Sequence, residues 1–74
     1  MIRVHSPRGV VRLVPEDDDR LVRLIAEVFE AGRSTRHTAA AMEASHRIKD
    51  GVTVYHRGWT FEPETSVHHL SGSR

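Results

Sequence analysis

The segment PEDDDRLVRLIAEVFEAGRS, residues 15–34, predicts an amphipathic helix together with both of its ends. Pro15 suits a first helical turn, where the backbone N–H has no acceptor, and the carboxylates of residues 16–19 complement the positive end of the helix dipole. Apolar side chains recur at three- and four-residue spacing and share one face: Leu21, Leu24, Ile25 and Val28, widened by Val22 and Phe29. Gly32 is placed to adopt the left-handed conformation that ends a helix.

Residues 34–51 predict a second helix, whose apolar face is weaker. Ser34 or Thr35 is placed to cap its N-terminus, and the helix extends to about Lys49. Asp50-Gly51 then ends it. The same pair also suits a tight hairpin turn, but the residues before it lack the alternation of a strand, which favours the helix end.

Two pairs of short strands are predicted on either side of the helices. Residues 2–5 alternate apolar and polar, residues 10–14 are mostly β-branched, and Ser6-Pro7-Arg8-Gly9 between them has the proline and glycine positions of a turn. Residues 52–55 and 59–61 flank His56-Arg57-Gly58 in the same way. The order ββααββ predicts a small single α+β domain over residues 1–65, followed by a flexible tail over residues 66–74.

Length and composition restrict the class of protein. The chain has 74 residues and no cysteine, so disulfides are excluded and a structural zinc site, which usually needs thiolates, is not expected. A core of this size supplies roughly 3–5 kcal/mol, and a homodimer is the remaining way to add stability. No segment has the apolar length of a membrane span or a signal peptide, which predicts a cytoplasmic protein without a membrane partner. Cationic residues are nearly all arginine, with Lys49 the one lysine, which indicates a GC-rich bacterium or its phage.

No arrangement of polar residues predicts catalysis or a bound cofactor. Six histidines are present, but none forms an HExxH pattern, and the closest ligand pair, Glu43 and His46, is typical of a solvated helix surface. There is neither a glycine-rich phosphate loop nor a serine–histidine–aspartate arrangement, and so short a chain has little room for a catalytic cleft. We expect a binding protein that is not an enzyme and holds no metal or cofactor.

The distribution of charge along the chain is more informative than the net charge of +1. Residues 15–32 carry six acids against two arginines, whereas the cations dominate residues 33–58. A basic second helix beside a basic hairpin predicts contacts with the phosphates of DNA. The candidate residues are Arg33, Arg36, Arg47, Lys49 and Arg57. Ion pairing with the acidic first helix is the alternative explanation of the same pattern.

Residues 10–50 resemble a ribbon-helix-helix repressor domain of the Arc type. The resemblance rests on short motifs: Val11-Arg12-Leu13 before Pro15-Glu16, then Leu21-Val22-Arg23, Ile25-Ala26-Glu27, Gly32-Arg33-Ser34 and Met42-Glu43. It implies a homodimer whose paired strands enter the major groove of DNA, with Arg12 contacting bases and Arg33 and Ser34 contacting phosphates. A helix-turn-helix over residues 33–48, with a wing at residues 56–58, is the alternative DNA-binding arrangement.

The last predicted hairpin carries three aromatic residues, Tyr55, Trp59 and Phe61. Aromatic side chains dominate the binding energy of many protein interfaces, and they also fill cores. Two functions are therefore predicted. The first is a small DNA-binding regulator, and the second is a protein-interaction module, such as a phage-encoded inhibitor or an accessory subunit.

Overall fold

A computed structural model of the protein describes residues 1–63. Its elements follow the order ββααββ, which confirms the predicted α+β class. The strands are β1 (Ile2–His5), β2 (Val11–Val14), β3 (Val54–His56) and β4 (Trp59–Pro63), and the helices are α1 (Asp19–Val28) and α2 (Thr35–Lys49). The tail predicted for residues 66–74 lies outside the described residues.

The four strands form one antiparallel sheet in the order β2-β1-β4-β3. The central pair joins the two ends of the described chain, with Ile2 opposite Pro63 and Val4 opposite Phe61. Both helices cover one face of this sheet. The core between the layers consists of Ile2, Val4, Val14 and Phe61 from the strands and Leu21, Ile25, Phe29, Ala41, Ala44 and Ile48 from the helical half.

Helix α1 begins later than the sequence predicts. The N–H of Asp18 donates to the carbonyl oxygen of Pro15 at 3.1 Å, so residues 15–18 form a turn that leads out of β2. Asp18 then caps the helix, because its carboxylate accepts a hydrogen bond from the N–H of Arg20 at 2.9 Å. The prediction that Pro15 opens the helix is therefore corrected: a turn is needed between the strand and the helix, and Pro15 belongs to that turn.

The end of α1 differs from the prediction as well. Glu30 adopts the left-handed conformation, with a φ of 52°, and Gly32 lies outside that region. The N–H of Glu30 donates to Glu27 and that of Ala31 to Ala26, which is the hydrogen-bond pattern of a Schellman motif. A glutamate thus occupies the position that usually holds glycine.

Helix α2 has the ends that its sequence predicts. The hydroxyl oxygen of Ser34 accepts a hydrogen bond from the N–H of His37 at 3.3 Å. After Lys49 the same Schellman pattern recurs, and here Gly51 supplies the left-handed residue, with a φ of 88°. The helix end at Asp50-Gly51 is confirmed over the hairpin alternative. Because the N–H of Val52 donates to Arg47, strand β3 starts only at Val54.

The two hairpins turn in different ways. Between β1 and β2 the N–H of Gly9 donates to Ser6 at 3.0 Å, which confirms the turn predicted for residues 6–9. Between β3 and β4 the two turn residues, Arg57 and Gly58, have φ values of 48° and 87°. Positive φ at both positions is the geometry of a type I′ turn, whose twist suits a tight hairpin.

Candidate functional site

Three connecting segments meet at one end of the molecule. A Cβ placed on Gly58 would lie 3.1 Å from Cβ of Pro7, so the turns of the two hairpins are in contact. The ring of His56 stacks on Phe29, with 3.9 Å between the ring centroids. The β3–β4 turn therefore lies between the other two segments, with the α1–α2 connection on one side and the β1–β2 turn on the other.

Glu30 links two of these segments through its carboxylate. One oxygen accepts a hydrogen bond from Nη1 of Arg33 at 2.8 Å, and the other from Nη1 of Arg57 at 3.0 Å. The hydrogen bond from Arg33, with the positive charges of Arg33 and Arg57, lowers the pKa of Glu30. The same hydrogen bond raises the pKa of Arg33. Both arginine side chains remain 73% exposed, so each guanidinium keeps N–H groups that face solvent.

Two further arginines lie at the same end. Arg8 is exposed in the β1–β2 turn, and Arg36 is exposed in the first turn of α2, just after the Ser34 cap. Neither forms an ion pair with any of residues 1–63. We call Arg8, Arg33, Arg36, Arg57 and the N-terminal turn of α2 the basic end. Glu30 is the acid within it, and Glu27 lines a cleft beside Arg8.

The other predicted phosphate-binding residues lie elsewhere. The 15 residues of α2 span about 22 Å, and Arg47 and Lys49 lie in its last turn. Helices α1 and α2 run antiparallel. Val22 and Ala26 of α1 and Thr38 and His46 of α2 line one groove between the two helices. The acidic start of α1 therefore lies near the end of α2. This arrangement corrects the expectation that Arg33, Arg36, Arg47, Lys49 and Arg57 form one surface: it gathers Arg33, Ser34, Arg36 and Arg57, and it separates Arg47 and Lys49 from them.

Arg12 lies on β2, outside the three connecting segments of the basic end, but its side chain lines the same cleft as Arg8 and Glu27. It is exposed on β2, at the edge of the sheet, where it forms no ion pair within the described part of the chain. Strand β2 pairs with β1 of the same chain, with Arg12 opposite Val4. The implied role of Arg12 as a reader of bases stays a prediction.

The three aromatic residues do not form one surface. Phe61 is fully buried, at 0% exposure, and this corrects the expectation that it belongs to a protein interface. Trp59 is half-buried on the same side of the sheet, with its ring centroid 6.4 Å from that of Phe61. Tyr55 is 75% exposed on the opposite side, because neighbouring residues of a strand point to opposite faces.

Sequence reasoning missed Arg8 and Glu30. Arg8 follows a proline in an ordinary turn, and the contact of this turn with the β3–β4 turn depends on the pairing of β1 with β4. A glutamate such as Glu30 is common at the exposed end of a helix. Only its backbone conformation, which glycine would normally supply, sets it apart. No local sequence signal marks either residue.

Neither helix within residues 1–63 is long and apolar enough to cross a membrane. Over the same residues, no three histidine, aspartate or glutamate side chains are grouped as metal ligands. No protein-family model, curated protein or solved structure matches the chain.

Proposed function

We propose that the protein is a small DNA-binding regulator that contacts the phosphate backbone with its basic end. One observation carries the proposal. Three segments that are distant in sequence place four arginines and a helix N-terminus at the same end of the molecule, where Glu30 and Glu27 are the nearby acids. Clustered arginines attract phosphates, and helix N-termini add backbone N–H donors and a positive dipole.

The four arginines differ in their readiness to bind phosphate. Arg8 and Arg36 have no ion-pair partner among residues 1–63 and can approach phosphates directly. Arg33 and Arg57 each use part of the guanidinium on Glu30 and keep other N–H groups in solvent. Glu30 links these two side chains through its carboxylate and adds one negative charge to the basic end.

The opposite end of the domain supports a single docking orientation. The carboxylates of residues 16–19 surround the start of α1, at the end of the helical pair remote from Arg33 and Arg36. These four carboxylates outnumber the cations Arg47 and Lys49 of the same end, so phosphates would be repelled there and attracted to the basic end. An electrostatic dipole of this kind orients the protein during its encounter with DNA.

The test compares two double variants with the same change in charge. Arg8→Glu with Arg36→Glu alters the basic end without breaking an ion pair of the described chain. Arg47→Glu with Lys49→Glu alters the far end of α2. Binding to a labelled DNA duplex is measured by fluorescence anisotropy, and circular dichroism confirms that each variant is folded. We expect the first variant to lose binding and the second to retain most of it.

Salt provides a second readout on the unmodified protein. If three phosphates are contacted, raising the salt concentration from about 50 to 200 mM should lower the affinity roughly 40-fold. Equal losses in the two double variants, or an affinity that does not respond to salt, would exclude the basic end as a phosphate-binding surface.

A further inference from the structure

Strand β2 lies at the edge of the sheet, and its outer side is unpaired within residues 1–63. The N–H of Ser6 donates to the carbonyl oxygen of Val10 at 2.8 Å. This bond shows which residue pairs of the β1–β2 ladder are hydrogen-bonded and which are not. Arg12 and Val14 then occupy hydrogen-bonded positions opposite β1. Val11 and Leu13 direct their N–H and C=O groups away from β1, to the open side of the strand.

The side chains of this edge are apolar on one face of the sheet. Val11 is 51% exposed and Leu13 is 53% exposed, both on the face that the helices do not cover. Natural edge strands are usually protected by charged side chains, proline or a covering element. The one charged side chain of β2, that of Arg12, lies on the other face, and no element of residues 1–63 covers Val11 and Leu13. Their backbone groups and side chains are therefore both accessible to another strand.

Arg12 gives the other face of the same edge a positive charge. Its side chain lines a cleft of about 480 Å³ between the β1–β2 hairpin and α1, together with Arg8, Leu24, Trp59 and Glu27. Two arginines without ion-pair partners in the described chain thus accompany one carboxylate. A strand that pairs with β2 would place a side chain in this cleft, directly opposite Arg12.

We propose that β2 binds an extended segment of another protein as a fifth strand. The segment carries a carboxylate opposite Arg12 and apolar side chains opposite Val11 and Leu13. Main-chain hydrogen bonds to Val11 and Leu13 would supply affinity, as in other cases of strand addition. The alternation of acidic and apolar residues would supply specificity, because cross-strand pairs of opposite charge stabilise a sheet.

A second copy of this chain is a poor occupant of the edge. Antiparallel self-pairing that bonds Val11 to Leu13 of the other copy places two Arg12 side chains opposite each other, at a non-hydrogen-bonded position where side chains are closest. Like charges at such a position are destabilising. Shifting the register pairs Val11 with Pro15, which has no N–H, or Leu13 with Gly9, which belongs to the turn. The geometry therefore favours an acidic partner over self-association.

The probes are three blocked pentapeptides: Thr-Val-Glu-Val-Thr, the same peptide with lysine in place of glutamate, and the glutamate peptide with both valine nitrogens methylated. Binding is followed by ¹⁵N–¹H nuclear magnetic resonance titration of the full chain. We expect the glutamate peptide to shift the amide signals of Val11 and Leu13 and to bind about fivefold more tightly than the lysine peptide. The methylated peptide should not bind, because it cannot donate the main-chain hydrogen bonds.

Two variants complete the test. Arg12→Glu should reverse the preference, so that the lysine peptide binds more tightly, whereas Lys49→Glu makes the same change in charge elsewhere and should leave the preference unaltered. Three results would overturn the proposal: no shift at about 5 mM peptide, the same order of affinity in Arg12→Glu as in the unmodified protein, or shifts confined to residues outside β2. Dilution of the unmodified protein without peptide should leave the Val11 and Leu13 signals in place, and concentration-dependent movement would instead indicate self-pairing. The DNA-binding variants leave Arg12 unchanged and the peptide-binding variants leave Arg8 and Arg36 unchanged, so failure of one proposal can be distinguished from failure of the other.

Discussion

Glu30 and Arg57 form an ion pair of 3.0 Å although 27 residues separate them in the chain. The pair joins the β3–β4 turn to the connection between the helices, and Arg33 shares the same carboxylate. It is therefore both a structural link and the main source of negative charge within the basic end. These two roles make opposite predictions for DNA binding and for stability.

Replacement of Glu30 by glutamine should strengthen DNA binding. Glu30→Gln keeps the size of the side chain and removes the charge, so Arg33 and Arg57 become free to neutralise phosphates. We expect the affinity for a DNA duplex to rise roughly fivefold at low salt, with a steeper dependence on salt. Anisotropy titrations of the variant and the unmodified protein provide the measurement. A weaker complex would show that Glu30 contributes through the positions of the arginines rather than through its charge.

The same carboxylate predicts a pH dependence of stability. The pKa of Glu30 lies below its ordinary value of 4.5 in the folded protein, first because of the hydrogen bond from Arg33. A depressed pKa contributes stability that is complete above the ordinary value and is lost as the pH falls through the lowered one. Urea unfolding from pH 7 downwards should show this loss in the unmodified protein, and Glu30→Gln should lack that component. Parallel pH profiles for the two proteins would contradict the assignment.

Two glycines should respond in opposite ways to alanine. Gly32 lies outside the left-handed region and has open space around a Cβ. Gly32→Ala should therefore stabilise the fold by about 0.4–1 kcal/mol, because it lowers the conformational entropy of the unfolded chain. Gly51 has a φ of 88° at the end of α2, so Gly51→Ala should destabilise it by roughly 1–2 kcal/mol. Urea denaturation of both variants measures the difference. Equal effects would mean that the left-handed position at the end of α2 is not required.

The aromatic residues of the last hairpin should differ sharply in their effect on stability. Phe61 is fully buried, so Phe61→Ala should cost about 3–5 kcal/mol, which is enough to unfold so small a domain. Tyr55→Ala removes an exposed side chain and should change stability by less than about 0.5 kcal/mol. Thermal unfolding followed by circular dichroism distinguishes them. A folded Phe61→Ala protein would contradict the placement of Phe61 in the core.

The sequence predicted the features of the fold that local interactions decide. Ser34 caps α2 and Gly51 ends it because a hydroxyl acceptor and a residue without Cβ are sufficient in those positions. Local rules failed at the ends of α1. Pro15 there belongs to a turn, and Glu30 adopts the conformation predicted for Gly32.

The candidate site depended on tertiary structure to a greater degree. Charge counted along the sequence treats α2 as one basic unit, although its two ends lie about 22 Å apart. The turn that carries Arg8 meets the turn that carries Arg57 only because β1 and β4 pair. Tyr55 and Phe61 separate because alternate residues of paired strands face opposite sides of the sheet. These relations follow from strand register and sheet topology, which cannot be predicted from amino-acid composition.

The central position of β1 and β4 has a consequence for how the protein folds during synthesis. Of the described strands β1 is synthesised first, but its neighbour on one side is β4, the last of them, with Ile2 opposite Pro63. Until β4 emerges, the nascent chain exposes one side of β1 and the helix faces that pack against Phe61. Contacts between such distant segments form slowly, because the entropy of closing a long loop is lost before the contacts contribute favourable free energy. Fragments that stop before β4 should remain unfolded, and the growing chain should form its native sheet only after β4 has emerged.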